Sequence, residues 1–296
     1  MPLTNPMTVT SYEEAIEKRE IIFEKFKEDS IVVLRDLNLT TEEQAEYVKS
    51  MGDFTGWFPN HSSDFNQRYR ENHERTYNKE LAGPDAVVVP WHLEHVDFDT
   101  HTPIIAGVWN MLKFDADPDS GKTYFVDTAK MYKNLTDEEQ DFLSKSLVEW
   151  YETDGSGPFY TPAVQPHWVT GEPVIRIDIR TVVSSPEMLY EYDGRKPTEE
   201  EKQEFVRLRN FYMDEIRLNE DIRLVHKWKK GDLVIVDLFK NAHAVTGGFS
   251  SEDREFTGEW VYPKFPETRE FLDFIDNIVA KRADGAEKVG MNNGAN

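Results

Sequence analysis

The chain has 296 residues, of which 39% are hydrophobic, so it is long enough to bury a substantial core. It carries 56 acidic against 34 basic residues, a formal net charge of −22, which disfavours nucleic acid or an anionic membrane surface as a partner. It has no cysteine, which excludes disulfides and thiolate metal sites. A metal would therefore need His, Asp or Glu ligands.

The first residues of the chain predict no export signal. The start, MPLTNPMTVTSYEEAIEK, lacks a basic segment followed by an apolar stretch, and no run of 18 apolar residues occurs. We therefore expect a cytoplasmic protein. In the absence of internal repeats, we expect a single domain over residues 1–280 and a flexible tail over 281–296, whose composition buries little apolar surface. A homo-oligomer is left open.

Four helix starts are predicted by a hydroxyl residue followed three positions later by an acid or an amide, since these side chains can cap each other's backbone amides. The helix after Thr198 is the clearest, because apolar residues from Phe205 to Ile216 recur at helical spacing behind a charged face. The pairs are Ser11 with Glu14, Thr41 with Gln44, Thr136 with Glu139, and Thr198 with Glu201.

Short runs rich in β-branched and aromatic residues predict strands, several bounded by turn sequences such as DPDSGK and KKGD. They do not alternate regularly with helices, which disfavours a doubly wound parallel sheet and favours a β-sandwich or jelly roll with helices packed outside. The polar segment 59–84 is long enough to predict a functional lid or a disordered connection. The predicted strands are 31–37, 86–94, 104–112, 123–126, 174–179, 232–238 and 256–262.

The sequence WHLEH, residues 91–95, raises the possibility of a metal site. In a strand, successive side chains face opposite ways, so His92 and Glu94 share one side while His95 points to the other. One imidazole and one carboxylate can supply two adjacent metal ligands, and a third must come from elsewhere. A His-x-Glu pair also arises often by chance on a surface strand, so the pair alone does not decide between the two interpretations.

His243 is the strongest candidate for a third ligand. It closes the segment KKGDLVIVDLFKNAH, which predicts a turn, an apolar strand and a polar exit, and thus places this histidine at the mouth of a sheet. Arg254 opens the next apolar stretch and could anchor a carboxylate in the same cavity. His226 is predicted at the edge of a strand or helix. The remaining histidines, in polar or turn-like contexts, are expected to be solvated: His61, His73, His101 and His167.

A polar pattern marks the predicted strand VIRIDIR. Arg176, Asp178 and Arg180 alternate along it. They form either one polar face of a half-exposed strand or a surface that contacts a substrate.

Taken together, these segments resemble the taurine dioxygenase and clavaminate synthase-like group of iron(II), 2-oxoglutarate-dependent oxygenases. The likeness is carried by WHLE, SGKTYFVD, the strand GDLVIVD with NAH after it, and the arginine beyond, and it extends from about Ile31 to about Pro263. It implies a mainly β fold with helical insertions, the double-stranded β-helix or jelly roll.

The resemblance also implies roles for five residues. His92, Glu94 and His243 would be the iron ligands. Thr123 would donate a hydrogen bond to the distal carboxylate of 2-oxoglutarate, and Arg254 would pair with that carboxylate. The implied cofactors are Fe(II), 2-oxoglutarate as co-substrate, and O₂.

The implied reaction is hydroxylation of an unactivated C–H bond in a small polar metabolite, such as an amino acid or a derivative, with release of succinate and CO₂. The same oxidant could instead serve desaturation, cyclisation or epimerisation. A non-catalytic, cupin-like metal- or small-molecule-binding protein is the alternative from another class, although such a protein would not need Thr123 and Arg254.

Two positions depart from the pattern of many members. Glu94 stands where many have aspartate, a change also found in clavaminate synthase-like members. Gly258 stands where many carry a second arginine, so a sulfonate or similar small anion is a less expected substrate.

Overall fold

The computed structural model describes residues 7–55, 58–59, 83–94, 106–150, 159–167, 169–177, 188–250 and 252–262. The predicted tail 281–296, the predicted domain end at residue 280 and nearly all of the polar segment 59–84 lie outside these residues. Within them, strands dominate and helices are added around them, which confirms the prediction of a mainly β protein with helices. No helix in the described ranges is long and apolar enough to cross a bilayer.

The helices of the described residues are α1 (Tyr12–Glu17), α2 (Arg19–Asp29), α3 (Thr41–Thr55), α4 (Thr128–Lys133), α5 (Asp137–Ser144) and α6 (Glu199–Leu218). The strands are β1 (Met7–Thr8), β2 (Ile31–Arg35), β3 (Phe58–Pro59), β4 (Val87–His92), β5 (Ala106–Phe114), β6 (Thr123–Asp127), β7 (Ser146–Trp150), β8 (Phe159–Pro162), β9 (Val164–Pro166), β10 (Pro173–Ile175), β11 (Leu189–Tyr192), β12 (Leu224–His226), β13 (Leu233–Asp237), β14 (Asn241–Thr246) and β15 (Arg254–Tyr262).

Two sheets contain most of the described strands. The larger has six strands in the order β1-β2-β13-β5-β15-β3, and the smaller has four in the order β12-β6-β14-β4. Their pairings are antiparallel except for β1 with β2. A three-stranded sheet, β11-β7-β8, and the pair β10-β9 complete the described strands.

The six-stranded sheet is buried on both faces, as the continuous apolar run of β2 illustrates. Val32 and Leu34 pack into a core that includes side chains of α1, α2 and α3, whereas Ile31 and Val33 belong to a second core with Trp109 of β5. Alternate residues of one strand thus enter two different cores, which is why this strand has no polar side.

The four-stranded sheet packs against the inner face of the six-stranded sheet. Phe125 of β6 lies in the same core as Trp109, while its neighbours Tyr124 and Val126 point the opposite way, into a core shared with α6. The molecule is therefore layered from helices α1–α3 through two facing sheets to α6. The space between the sheets is where side chains of β4, β6 and β14 can meet.

The helix predicted after Thr198 is confirmed. The Thr198 side chain accepts a hydrogen bond from the amide of Glu201, whose carboxylate accepts one from the Thr198 amide. The predicted apolar stripe is buried against the four-stranded sheet through Phe205, Leu208, Tyr212 and Ile216. The cap at Ser11 and the reciprocal pair of Thr136 with Glu139 are present as well.

The predicted cap of α3 is wrong by one residue. Thr40, not Thr41, exchanges hydrogen bonds with an acid three positions later, namely Glu43. The sequence TTEEQ contains both overlapping matches, and burial decides between them. Gln44 is buried, and its side chain donates to the carbonyl oxygen of Val108 at 2.8 Å, which removes it from the helix terminus.

Candidate metal centre

The two histidines of the predicted site are direct cross-strand neighbours. β4 and β14 pair antiparallel with His92 opposite His243, and their ring centroids lie 4.1 Å apart. His243 was predicted just past a strand, but it lies inside β14, all of whose residues are buried. The predicted polar exit is therefore a buried strand, and its small apolar residues Ala242 and Ala244 pack outward, into the core shared with α6.

Glu94 lies close to both histidines, although β4 ends at His92, two residues earlier. Trp91 and Leu93 pack into the outer core, so His92 and Glu94 point to the opposite, inner side, as the alternation predicted. The Oε1 atom of Glu94 lies 3.3 Å from Nε2 of His92 and 3.7 Å from Nε2 of His243. Two atoms bound at a right angle to one metal, with bonds of about 2.1 Å, would lie about 3.0 Å apart. The cluster is close to that spacing.

Both imidazoles are oriented by backbone carbonyls. Nδ1 of His92 lies 2.8 Å from the carbonyl oxygen of Pro90, and Nδ1 of His243 lies 3.4 Å from that of Asn241. A carbonyl only accepts, so both contacts fit the tautomer that carries its proton on Nδ1 and leaves Nε2, on the side of Glu94, available as a ligand atom. This is the arrangement that metal-binding histidines usually show.

The three side chains lie between the two sheets, where most of the neighbouring side chains are apolar. The His243 side chain is 2% exposed, and its ring centroid lies 5.4 Å from that of Trp109 and 6.2 Å from that of Phe125. The His92 and Glu94 side chains are 14% and 12% exposed. Two neutral imidazoles and one carboxylate on one side of a partly enclosed space fit a divalent metal that keeps open coordination positions.

Thr123 and Arg254 both contact the same tryptophan. Trp228 donates a hydrogen bond from Nε1 to Oγ1 of Thr123 at 2.8 Å, and the guanidinium carbon of Arg254 lies 5.5 Å from the centre of its ring. Phe249 and Phe256 lie 5.1 and 5.0 Å from that guanidinium. Thr123 is opposite Val245 on β14, two residues after His243. The two predicted cofactor-binding residues, Thr123 and Arg254, thus both contact the Trp228 indole. Thr123 also lies beside β14, the strand that carries His243.

Sequence reasoning missed Trp228. This side chain is 1% exposed although it stands in the charged segment HKWKK. A single large apolar residue among lysines is the signal that could have identified it, because such a residue must pack somewhere.

Two further histidines lie apart from this cluster. His167 was predicted to be solvated, but this is wrong: its side chain is 1% exposed, and Nε2 lies 2.8 Å from Oδ2 of Asp237. His226 ends β12 and is buried, with Nε2 3.4 Å from Oδ2 of Asp232. Burial lowers the pKa of His226, and Asp232 partly opposes that shift. The other histidines lie outside the described residues: His61, His73, His95 and His101.

Arg176 corrects another expectation. It was placed on the polar face of a half-exposed strand, or against a substrate, but it is 1% exposed and donates to two backbone carbonyls. β10 ends at Ile175, and Asp178 and Arg180 lie outside the described residues.

The family model for taurine catabolism dioxygenases, the TauD/TfdA family, matches residues 3–260 of the chain. The chain belongs to this family. Dioxygenases of the TauD/TfdA type use Fe(II), 2-oxoglutarate and O₂, and the chain contains a His-Glu-His cluster that could hold a metal ion. The predicted family, enzyme class and cofactors are therefore confirmed.

Solved structures share the fold at low identity. A proposed alpha-ketoglutarate-dependent taurine dioxygenase from Burkholderia xenovorans has a TM-score of 0.58 at 19% identity, covering 91% of each chain. The protein AAD-2, in complex with Mn(II) and N-oxalylglycine, has a TM-score of 0.54 at 17% identity, covering 91% of this chain and 93% of its own. No curated protein matches the chain at a significant level.

Proposed function

We propose that His92, Glu94 and His243 hold Fe(II), and that this TauD/TfdA-family dioxygenase oxidises an unactivated C–H bond of a small polar metabolite such as an amino acid or a derivative. Hydroxylation, with release of succinate and CO₂, is the proposed outcome. The single observation that carries the proposal is the convergence of one carboxylate oxygen and two imidazole nitrogens within 4.8 Å of one another. AAD-2, which shares the fold, binds Mn(II) and N-oxalylglycine, a pairing that suits such a site.

The roles of the three side chains follow from their chemistry. Bound iron, with O₂ and the keto acid, supplies the oxidising power that amino-acid side chains lack. His92 and His243 offer neutral nitrogens whose orientation is set by the carbonyls of Pro90 and Asn241. Glu94 contributes the negative charge that offsets part of the metal charge. Because the three side chains converge from one side, they would leave the other side of a bound metal ion open to co-substrate and O₂.

We propose that Arg254 and Thr123 bind the distal carboxylate of 2-oxoglutarate. The guanidinium of Arg254 lies among aromatic rings, where an ionic hydrogen bond is screened less than in water. A threonine hydroxyl can accept two hydrogen bonds but donates only one. Because the Trp228 indole already donates to Thr123 Oγ1, the single hydroxyl proton is directed elsewhere, and an anionic carboxylate is a suitable acceptor.

Trp228→Phe tests this orientation of Thr123, since phenylalanine keeps an aromatic ring but removes the indole N–H. We expect 2-oxoglutarate binding to weaken by about 2- to 13-fold, corresponding to one hydrogen bond of about 0.5–1.5 kcal/mol. Thr123→Val should have an effect in the same range. In the Thr123→Val background, Trp228→Phe should add nothing further. Anaerobic calorimetry of 2-oxoglutarate binding to the Fe(II) protein measures all four forms, and fully additive effects would contradict the coupling.

The proposed fold is the double-stranded β-helix, or jelly roll, in a single domain over residues 1–280. The facing six- and four-stranded sheets, with the candidate ligands between them, support it. The match of the family model across residues 3–260 supports a single domain.

The substrate class is tested by measuring succinate release across a panel of metabolites. Gly258 is buried in β15 and brings no cation to the position where many relatives have an arginine. We therefore expect amino acids or their derivatives to stimulate succinate release, and taurine to do so less. The organic product should gain one oxygen atom. Taurine as the best substrate would contradict the proposed class, and loss of two hydrogen atoms from the product would indicate desaturation instead.

A further inference from the structure

Arg176 connects the two segments that carry the candidate metal ligands. Its Nη2 donates to the carbonyl oxygen of Glu94 at 2.9 Å, and its Nη1 donates to the carbonyl oxygen of Phe239 at 2.6 Å. Glu94 is itself a candidate ligand, and Phe239 lies in the turn that leads from β13 into β14, four residues before His243. A single side chain therefore bridges one ligand and the approach to another.

The turn at Phe239 is fixed by several contacts besides this one. Oδ1 of Asp237 accepts from the amides of Phe239 and Lys240, and the Asn241 side chain donates to the carbonyl oxygen of Asp237. In addition, the guanidinium carbon of Arg176 lies 4.3 Å from the centre of the Phe239 ring. Arg176 is thus docked on a rigid turn, from which its second nitrogen reaches the backbone of Glu94.

The planar fork of arginine suits this task. Its donors are held in fixed relative positions, so one guanidinium can set the separation of two acceptors, whereas lysine offers a single point charge on a flexible stem. Both of these acceptors are backbone carbonyls of the segments that carry Glu94 and His243, so the two hydrogen bonds set the separation of those segments. A buried cation near a metal ion would on charge alone oppose metal binding. These two contacts therefore point to a geometric role for Arg176.

We propose that Arg176 is a positioning residue of the metal centre, which holds Glu94 in register with His243. This inference rests on the proposed metal-binding role of His92, Glu94 and His243. It assigns Arg176 no contact with the substrate, the co-substrate or the metal.

Arg176→Lys is the most direct variant, because it keeps the positive charge and removes the fork. Loss of an interaction that orients a ligand typically weakens metal binding by about 10- to 100-fold, and we expect a change in this range for Mn(II). Calorimetry with Mn(II) gives the affinity. The electron paramagnetic resonance line shape of bound Mn(II) gives an independent readout of ligand geometry, which should also change.

Lys240→Gln is the matched control. Lys240 is 5% exposed, stands beside Phe239 in the same turn, and pairs through Nζ with Oε1 of Glu172 at 2.8 Å rather than with either ligand segment. Its replacement also removes a buried cation, so we expect a lower melting temperature but unchanged Mn(II) affinity and line shape in the folded protein.

The outcomes separate the inference from the proposed function. If the wild-type protein binds no Mn(II) or Fe(II), the proposed function fails. If the wild type binds Mn(II) and folded Arg176→Lys binds it equally well or more tightly, the positioning role is overturned. Should Arg176→Lys not fold, Phe239→Leu decides, because it removes the ring beneath the guanidinium and keeps the carbonyl acceptor. A loss of Mn(II) affinity of about threefold or more supports the inference, and unchanged affinity overturns it.

Discussion

Replacing His243 with alanine is expected to abolish stoichiometric Fe(II) binding. The Nε2 atoms of His243 and His92 lie within 4 Å of one oxygen of Glu94, so removal of one imidazole leaves only two of the three side-chain ligands. His92→Ala should have the same consequence. Anaerobic equilibrium dialysis, with iron counted per folded chain, measures the effect directly.

His226, a buried histidine elsewhere in the core, provides the control for the expected loss of Fe(II) binding. His226 is also buried, but its Nε2 faces Asp232 and it is not part of the cluster. His226→Gln should therefore lower stability without lowering the iron content of the folded protein. If His92→Ala and His243→Ala both keep wild-type iron affinity, the metal is bound elsewhere and the proposed site is wrong.

Replacing Arg254 with alanine is expected to raise the 2-oxoglutarate concentration needed for half-saturation by roughly 10- to 150-fold. The expectation follows from the about 1.5–3 kcal/mol that a hydrogen bond involving a charged group contributes. The guanidinium of Arg254 lies against Trp228, Phe249 and Phe256, so water competes less for its donors than at an open surface. Iron binding should persist, because Arg254 is not one of the three candidate metal ligands.

An exposed arginine supplies the comparison for Arg254. Arg207 forms an ion pair with Glu139 and Glu204 on the protein surface, and its side chain is 52% exposed. Arg207→Ala removes the same charge at a distance from the site and should leave the 2-oxoglutarate midpoint unchanged. An unchanged midpoint in folded Arg254→Ala would show that another residue anchors the co-substrate.

The sequence was sufficient to bring two of the three candidate ligands together, because their relative position depends on a local rule. Strand alternation placed His92 and Glu94 on one side, and the structure shows the two side chains 3.3 Å apart. For His243 the location was approximately right but the element was wrong. The register between β4 and β14, which sets it opposite His92, joins segments about 150 residues apart and leaves no local trace.

Arg176 and Trp228 show what local rules cannot supply. The spacing of Arg176 with Asp178 predicted a polar strand face or a substrate contact, but Arg176 is buried and donates to backbone carbonyls 63 and 82 residues away in sequence. Backbone acceptors carry no residue-type signature, so composition cannot indicate them. For Trp228 the hydrogen-bond partner Thr123 is 105 residues away. Both residues act through contacts that only the assembled sheets create.

A long-range contact also explains why the cap of α3 was predicted one residue too late. Both Thr40 with Glu43 and Thr41 with Gln44 satisfy the capping pattern, and the choice depends on a distant contact. Gln44 is buried against the Val108 carbonyl of β5, so Glu43 is left to cap the helix. Local pattern placed the start of the helix to within one residue, and tertiary packing fixed its first turn.

We propose that His92, Glu94 and His243 bind Fe(II) in a site that also binds 2-oxoglutarate. The most direct test is to mix the purified protein anaerobically with Fe(II) and 2-oxoglutarate and record the visible absorption spectrum. We predict a metal-to-ligand charge-transfer band that requires both additions, disappears in His243→Ala and needs more 2-oxoglutarate in Arg254→Ala. A wild-type protein that binds Fe(II) and 2-oxoglutarate without this band would contradict the proposed shared site, since the keto acid would then not chelate the iron.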